Sequence, residues 1–360
     1  MGGALLVSAV PGEGFAPITA EARRGLCLRS ASTLDAAGIR SGDRVLVSLN
    51  SDGDLAGAFV AEALVALGAD SAVVGARGRM RTLAAMRALR PAVWITTPTG
   101  ALDFLARLYL EFNVDPIELE LRRIFLVGEI PSPGTSRRLA DEFESELAGL
   151  YCDPIFGGLW GHGQAGQWAI RDSAVLDRAE LARDGLLAAG ADVAGELVLR
   201  PDWAGAFEGT TIRTGQVVEG AQAMEVGTSA GAGKRDADAG SLFQNTVGEH
   251  LLVRGRWLSL PLLRRALAQI DGLAGHVVTI ERGEGTLDKL TIGLAFERPS
   301  LVENPMWAAR AREAVAGITP VEFAIETELA GEATIGETIV DRRGHHLGVD
   351  RARSGGQGLG

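Results

Sequence analysis

The sequence predicts an α/β protein, with a large domain built on a mixed sheet and a small α+β domain after it. Three observations predict this. Apolar runs of strand length alternate with helical patterns from Arg44 to Leu147, as repeated βα units do. Beyond Gly166 the character changes to extended segments separated by turns, which suits antiparallel strands. From about Arg256 a helix-strand-strand-helix-strand string has the size of a small split βαβ layer.

Thr19 to Leu34 places Leu26, Leu34 and small residues on one helical face, with Thr19 as N-cap, Glu21 in the first turn and Gly38 as the stop. Arg44 to Leu49 is too apolar to be half exposed and reads as a strand buried on both faces. The alternation continues with helix Asp54 to Leu67, strand Ser71 to Val74, helix Arg79 to Leu89, strand Ala92 to Thr97, helix Ala101 to Glu111, strand Leu121 to Val127 and helix Thr135 to Leu147. Pro91 marks a helix-to-strand border. The stretch from Phe156 to Gly166 then reads as a glycine-rich loop at a strand end, where α/β proteins place ligands.

Gly195 to Arg200 and Gly209 to Thr214 read as antiparallel strands, and Gly227 to Gly240 as a loop. The terminal unit reads as helix Pro261 to Ile270, strands His276 to Glu281 and Lys289 to Phe296, helix Pro305 to Ala316 and strand Val321 to Glu328. The expected division is a large domain over 1–254, with parallel units over 19–155 and antiparallel strands over 165–254. A small domain over 255–345 and a disordered tail over 346–360 follow.

With 46% hydrophobic and 22% charged residues, the composition is that of an ordinary globular protein. The net charge of −11 argues against nucleic acid as a partner, which would need clustered basic residues. Lys234 and Lys289 are the two lysines, so nearly all positive charge is arginine. Cys27 and Cys152 fit no metal spacing and read as reduced thiols. No run reaches membrane-spanning length, and the N-terminus has no basic segment ahead of its short apolar run, so a cytoplasmic protein is expected.

Gly161 to Gly166 matches G-x-G-x-x-G, but Gln167 to Arg171 reads as a strand rather than the helix a dinucleotide turn opens. With 48 glycines in 360 residues, a chance match is expected. Gly227 to Gly231 matches G-x-S-x-G around Ser229, but the residues after it are poor helix formers, so a loop outweighs a nucleophile elbow. His162, bracketed by Trp160 and Trp168, could act as a general base or be a polar neighbour of two packing tryptophans. His345 and His346 read as incidental. The pairs Arg122-Arg123, Arg137-Arg138, Arg264-Arg265 and Arg342-Arg343 read mainly as solvated or paired to acids.

Several ordered stretches carry a resemblance. They are Thr19 to Asp43, Leu67 to Val74, Arg90 to Pro98, Ile124 to Glu129, Gly195 to Leu199, Ile212 to Gly215, and Leu252 to Gly255 leading into Leu260-Pro261. In order and spacing the chain resembles the phenylacetate–coenzyme A ligase branch of the adenylate-forming superfamily, without the portion upstream of the family's phosphate loop. The resemblance implies a two-step reaction: a carboxylate attacks ATP to give an acyl-adenylate, then coenzyme A displaces AMP after the small domain rotates. It implies a substrate pocket at Gly128, Glu129, Phe156, Gly157, Gly158, Trp160 and Trp168, a nucleotide-site remnant at Arg213, Thr214, Gly215 and Gln216, and a hinge at Glu249, Arg254 and Gly255. His162 would be the polar group for chemistry, and no metal ligands are implied.

The chain departs from the family where ATP chemistry is done. Val7 to Gly14 replaces the phosphate loop with one hydroxyl and an acid; Trp160 stands where the metal-associated acid would be; Gln216 stands where an acid grips the ribose. The family's lysine falls near Ile335 and Gly336, and its cysteine-rich hairpin is absent. Losing one such group costs about 2–4 kcal/mol of barrier. The departures argue against ATP with magnesium and leave coenzyme A as a candidate cofactor. The expected partner is a small carboxylate or acyl thioester, with neither nucleic acid nor membrane. Three functions remain open: a diverged enzyme handling an activated acyl group, a non-catalytic partner of a ligase or carrier protein, and an ATP-dependent ligase with substitute residues.

Overall fold

The computed structural model describes residues 4–8, 15–49, 56–76, 78–152, 157–164, 167–170, 176–180, 195–199, 212–218, 245–283, 287–319, 321–331 and 334–350. An antiparallel ribbon, β1 (Ala4–Ser8) and β2 (Phe15–Thr19), leads into α1 (Ala20–Ala36), whose N-cap Thr19 accepts from the Ala22 amide as its sequence predicts. There follow β3 (Arg44–Ser48), α2 (Ala56–Leu67), β4 (Asp70–Val73), α3 (Arg79–Leu89), β5 (Val93–Thr96), α4 (Pro98–Arg107), β6 (Arg123–Val127), α5 (Pro133–Phe143), β7 (Glu146–Cys152), β8 (Leu159–Gln164) and β9 (Gln167–Ile170).

These strands form one seven-stranded sheet in the order β4-β3-β5-β6-β7-β8-β9, parallel from β4 to β7 and antiparallel over β8 and β9. Alternate residues serve opposite cores. Val45, Val47, Val93, Ile95, Phe125 and Val127 pack with residues of α1 and α2. Leu46, Trp94, Ile124 and Leu126 pack with α3, α4 and α5. Both faces are covered, and this is why the strands read as unbroken apolar runs.

Three local expectations are corrected. The helix expected to reach Leu147 ends at Phe143, because Glu144 turns into the left-handed region (φ 47°) and its amide caps Ala140 and Asp141. Leu147 to Tyr151 is then a buried strand beside β6, so tertiary burial overrides the helix propensity of Leu and Ala. The helix expected at Ala101 begins at Pro98, capped by Thr97, and ends in a π-helical turn over Leu108–Phe112. The loop expected through Gly161 is instead strand over 159–164, paired on both edges; residues 165 and 166 lie outside the described residues.

A second sheet runs β10 (Leu176–Glu180), β11 (Gly195–Leu199), β12 (Ile212–Val218) and β13 (Asn245–Thr246), antiparallel throughout, as expected beyond Gly166. Ser229 and the G-x-S-x-G match lie outside the described residues.

The terminal unit comprises the hairpin β14 (His250–Val253) and β15 (Arg256–Ser259), α6 (Leu260–Leu267), β16 (Leu273–Glu281), β17 (Lys289–Phe296), the short α7 (Pro299–Val302), α8 (Pro305–Ala316), β18 (Phe323–Leu329) and β19 (Gly336–Asp341). Its sheet has the order β18-β17-β16-β19, with β16 and β17 antiparallel and the outer pairs parallel. The edge strand β19 was not anticipated from the sequence. It lies so close to β16 that a Cβ on Gly275 would run into the backbone of Gly336. Leu251, Val253 and Leu258 share one core with Val278, Ile280 and Ile292, so the border expected at 254/255 runs through the middle of a hairpin. Among the described residues no helix is long and apolar enough to cross a membrane.

Candidate functional site

Strand order reverses between β3 and β5, which puts the topological switch point of the parallel sheet at their carboxyl ends. Ser48 and Thr96 meet there, Oγ to Oγ1 at 3.0 Å, and the Trp94 indole donates to Ser48 Oγ at 2.7 Å. One strand further on, Gly128 (φ 78°) turns the chain out of β6 and delivers Glu129 to the mouth.

Glu129 is 6% exposed. Its Oε2 accepts from the Thr99 amide at 3.1 Å and the Thr99 hydroxyl at 2.7 Å, both in the first turn of α4. Its Oε1 has no hydrogen-bond partner among the described residues. Burial pushes the carboxyl up to about 7; the Thr99 hydrogen bonds and the Arg282 charge pull down, and Asp288 pushes up. The side chain is thus a buried acid that titrates near neutrality, the kind of group that marks functional sites.

The terminal unit closes over this acid. Arg254 and Gly255 both have positive φ (50° and 70°) and form the two-residue loop between Val253 and Arg256, as a type I′ turn requires. A Cβ at Gly255 would lie 3.0 Å from Glu129 Oε1. Arg282 Nη1 donates to the Ile130 carbonyl at 2.9 Å, while its Nε holds Asp288. Arg343 bridges Asp288 (2.6 Å) and Asp341 (2.8 Å), and all three side chains are under 5% exposed. Burial works against ionising either aspartate, but the arginine hydrogen bonds and charges outweigh it and hold both carboxyls below the usual range. Two arginines balance two aspartates, so the buried cluster is neutral when Glu129 carries its proton.

The second sheet holds the residues expected as a nucleotide-site remnant. Arg213 Nε bonds the fully buried Glu196 at 2.6 Å, and Glu196 Oε1 accepts from the Gly215 amide at 2.8 Å. Thr214 donates to the Leu197 carbonyl at 2.8 Å. Gly215 (φ 71°) lies against the Val247 carbonyl, and Gln216 is 3% exposed, pairing across the sheet with Thr246; its Oε1 has no hydrogen-bond partner among the described residues.

The other expected residues fall as follows. Gly128, Glu129, Arg254 and Gly255 come together at the mouth. Glu249 bonds Arg264 Nη1 at 2.8 Å and caps the hairpin by accepting from the Leu260 amide. Trp160 is 1% exposed with the Arg29 guanidinium 5.3 Å from its ring centroid, and a Cβ at Gly158 would meet Leu26 of α1 at 3.1 Å. Gly157 is buried with φ 76°. His162 is half-buried on β8 opposite Leu150, two strands from Glu129. Phe156 and the Trp168 side chain lie outside the described residues.

Sequence reasoning missed Thr99, Glu196, Arg282, Asp288 and Asp341. The one signal was the arginine pair: Arg342 is exposed beside Glu281, and Arg343 is buried between two acids. His345 and His346, read as incidental, are half-buried in the same cluster, and burial lowers both to about 4. Among the described residues no group of His, Cys, Asp and Glu could hold a metal ion.

No family model matches the chain, and no curated protein matches it by sequence. Among solved structures it is similar to 2-hydroxyisobutyryl-CoA ligase in complex with 2-HIB-AMP and CoA in the thioesterification state. That match has 15% identity and a TM-score of 0.71, covering 94% of this chain and 74% of that one. The same ligase in its open conformation and in two postadenylation complexes gives 0.52, 0.52 and 0.54, with 91–95% of this chain covered. The amide bond synthetase McbA from Marinactinospora thermotolerans gives 13% identity and 0.65, and o-succinylbenzoate CoA synthetase MenE from Bacillus subtilis gives 14% and 0.62, each over 92% of this chain and 67% of the other. The fold is that of the adenylate-forming acyl- and aryl-CoA ligases. The likeness is one of fold, at 12–15% identity.

Proposed function

We propose that this chain is a diverged cytoplasmic relative of the phenylacetate–coenzyme A ligases. In this reading it keeps an acyl, aryl or acyl-CoA pocket at the carboxyl ends of β3, β5 and β6 and has lost ordinary ATP-dependent adenylation. The carrying observation is the loss of charge where ATP would be handled. The stretch before β19 has Ile335 and Gly336 in place of a lysine, and Lys289 pairs with Glu281 on the neighbouring strand at 3.5 Å. Gln216 is a buried amide where an acid would grip ribose hydroxyls, and Arg213 is committed to Glu196. These residues do not fit magnesium ATP.

A second reading, a non-catalytic partner of an active ligase or carrier protein, is favoured by Trp160, which is packed against α1. Thermal-shift titration with ATP, AMP and coenzyme A separates the readings, since a ligand that binds only the native state raises its melting temperature. A shift with coenzyme A alone is expected. Silence from all three ligands moves the assignment to the second reading, and pyrophosphate release dependent on ATP and a carboxylic acid overturns both.

A further inference from the structure

After β19 the chain leaves the terminal unit for five residues and returns to it at Val349, which packs on that unit's core. Gly344 to Gly348 cross to the second sheet of the large unit and run along β13. The Thr246 amide donates to the His345 carbonyl at 2.7 Å, the Leu347 amide to the Thr246 carbonyl at 2.8 Å, and the Gly248 amide to the Gly348 carbonyl at 2.9 Å. Thr246 and His346 form a parallel bridge, with Thr246 Oγ1 and His346 Nδ1 3.2 Å apart. Asn245 Nδ2 adds a bond to the Gly344 carbonyl at 3.0 Å, and Leu347 packs on Val217 and Val247. The tail expected to be disordered from 346 is instead held beside β13 as far as Gly348, by one isolated parallel bridge and the backbone bonds around it. The physical reason is that β13 ends its sheet, and a bare strand edge offers unpaired amides and carbonyls that another strand satisfies.

Both ends of this crossing are fixed. Arg343, just before it, is clamped between Asp288 and Asp341, and the His346 amide donates to Asp341 Oδ2 at 3.1 Å. A second tie crosses the seam where Arg282 reaches the Ile130 carbonyl and Gly255 lies against Glu129. The overlay on one ligase in several arrangements points the same way. Coverage of this chain changes little, 91–95%, but the score is 0.71 for the thioesterification state and 0.52–0.54 for the others.

We propose that Gly344 to Gly348 is a strap that holds the two units in the arrangement of the thioesterification state, so that this protein rests there and does not alternate between arrangements. This inference concerns the arrangement alone and stands whether or not the chain handles an acyl group.

The test uses paired spin labels on the full-length chain at Val65→Cys in α2 and Met306→Cys in α8, both well exposed, in a Cys27→Ser, Cys152→Ser background. The wild-type strap gives one distance, with any second population below about a tenth. Leu347→Pro removes the amide that bonds Thr246, which a paired strand does not tolerate, and brings in a second distance of comparable weight. A chain ending at Arg343, which keeps β19 and its arginine anchor, gives the same result by a different route. Circular dichroism and melting verify that each variant is folded. Two distances of comparable weight with the strap intact overturn the proposal, as does a single unchanged distance in either folded variant.

Discussion

Glu129→Gln is the perturbation that best tests the buried mouth. The folded protein raises this carboxyl from 4.5 to about 7, chiefly by burial. Each unit corresponds to about 1.4 kcal/mol, so ionising Glu129 in the fold costs about 3 kcal/mol relative to the unfolded chain. The folded state binds the proton more tightly than the unfolded one. The contribution is therefore fully present below pH 4.5 and is lost as pH rises through 7. Glutamine keeps the acceptor for Thr99 and cannot ionise, but it places an amide nitrogen against Gly255 without a partner, at a cost of about 1 kcal/mol. Urea unfolding of both proteins at pH 5, 6, 7 and 8 reads the difference. The two proteins are expected to be nearly equal in stability at pH 5, because the unfolded carboxyl already ionises there, and the glutamine variant to be the more stable at pH 8 by about 2 kcal/mol. His345 and His346 run the other way: burial lowers both to about 4, so they withdraw stability as pH falls from 6.5. Both proteins share them, and the subtraction removes them. A difference that stays constant from pH 5 to 8 would refute a Glu129 that titrates near neutrality.

Two further substitutions probe the same seam. Gly255→Ala is expected to lose about 1–2 kcal/mol from the left-handed backbone, with an added loss from contact with Glu129 Oε1; the added part disappears in a Glu129→Ala background, a coupling that a double-mutant cycle measures. Arg343→Met strips Asp341 of its arginine while Asp288 keeps Arg282, and about 3–5 kcal/mol of unfolding free energy is expected to go; adding Asp341→Asn restores part of it, and no recovery would mean that packing, not charge, is what Arg343 supplies.

The sequence by itself determined the large sheet and its helices. Val45-Leu-Val-Ser48, Val93-Trp-Ile-Thr96 and Ile124-Phe-Leu-Val127 are apolar at every position or nearly so, and only a strand covered on both faces uses such runs. Thr19 announced its helix because an N-cap is a local contact, closed within four residues. The departures from the family the chain resembles were legible for the same reason: Gln216, Trp160 and the lack of lysine near Ile335 are identities, not geometry.

What tertiary structure decided was every contact between residues far apart in the chain. Phe156 to Gly166 read as a loop because glycine is frequent in it, yet Leu159–Gln164 is strand because β7 and β9 supply partners on both edges. Glu129 read as one pocket residue among several. Its burial and its raised pKa depend on Gly255 and Asp288, brought in from the other unit, and no local pattern encodes that meeting. The histidines and glycines of 344–348 are a poor strand by composition, and they bond to the backbone of 246–248 because the open edge of β13 lies within their reach. Local periodicity is written in neighbouring residues, whereas the closing of one unit on another is a property of surfaces that exist only once both have folded.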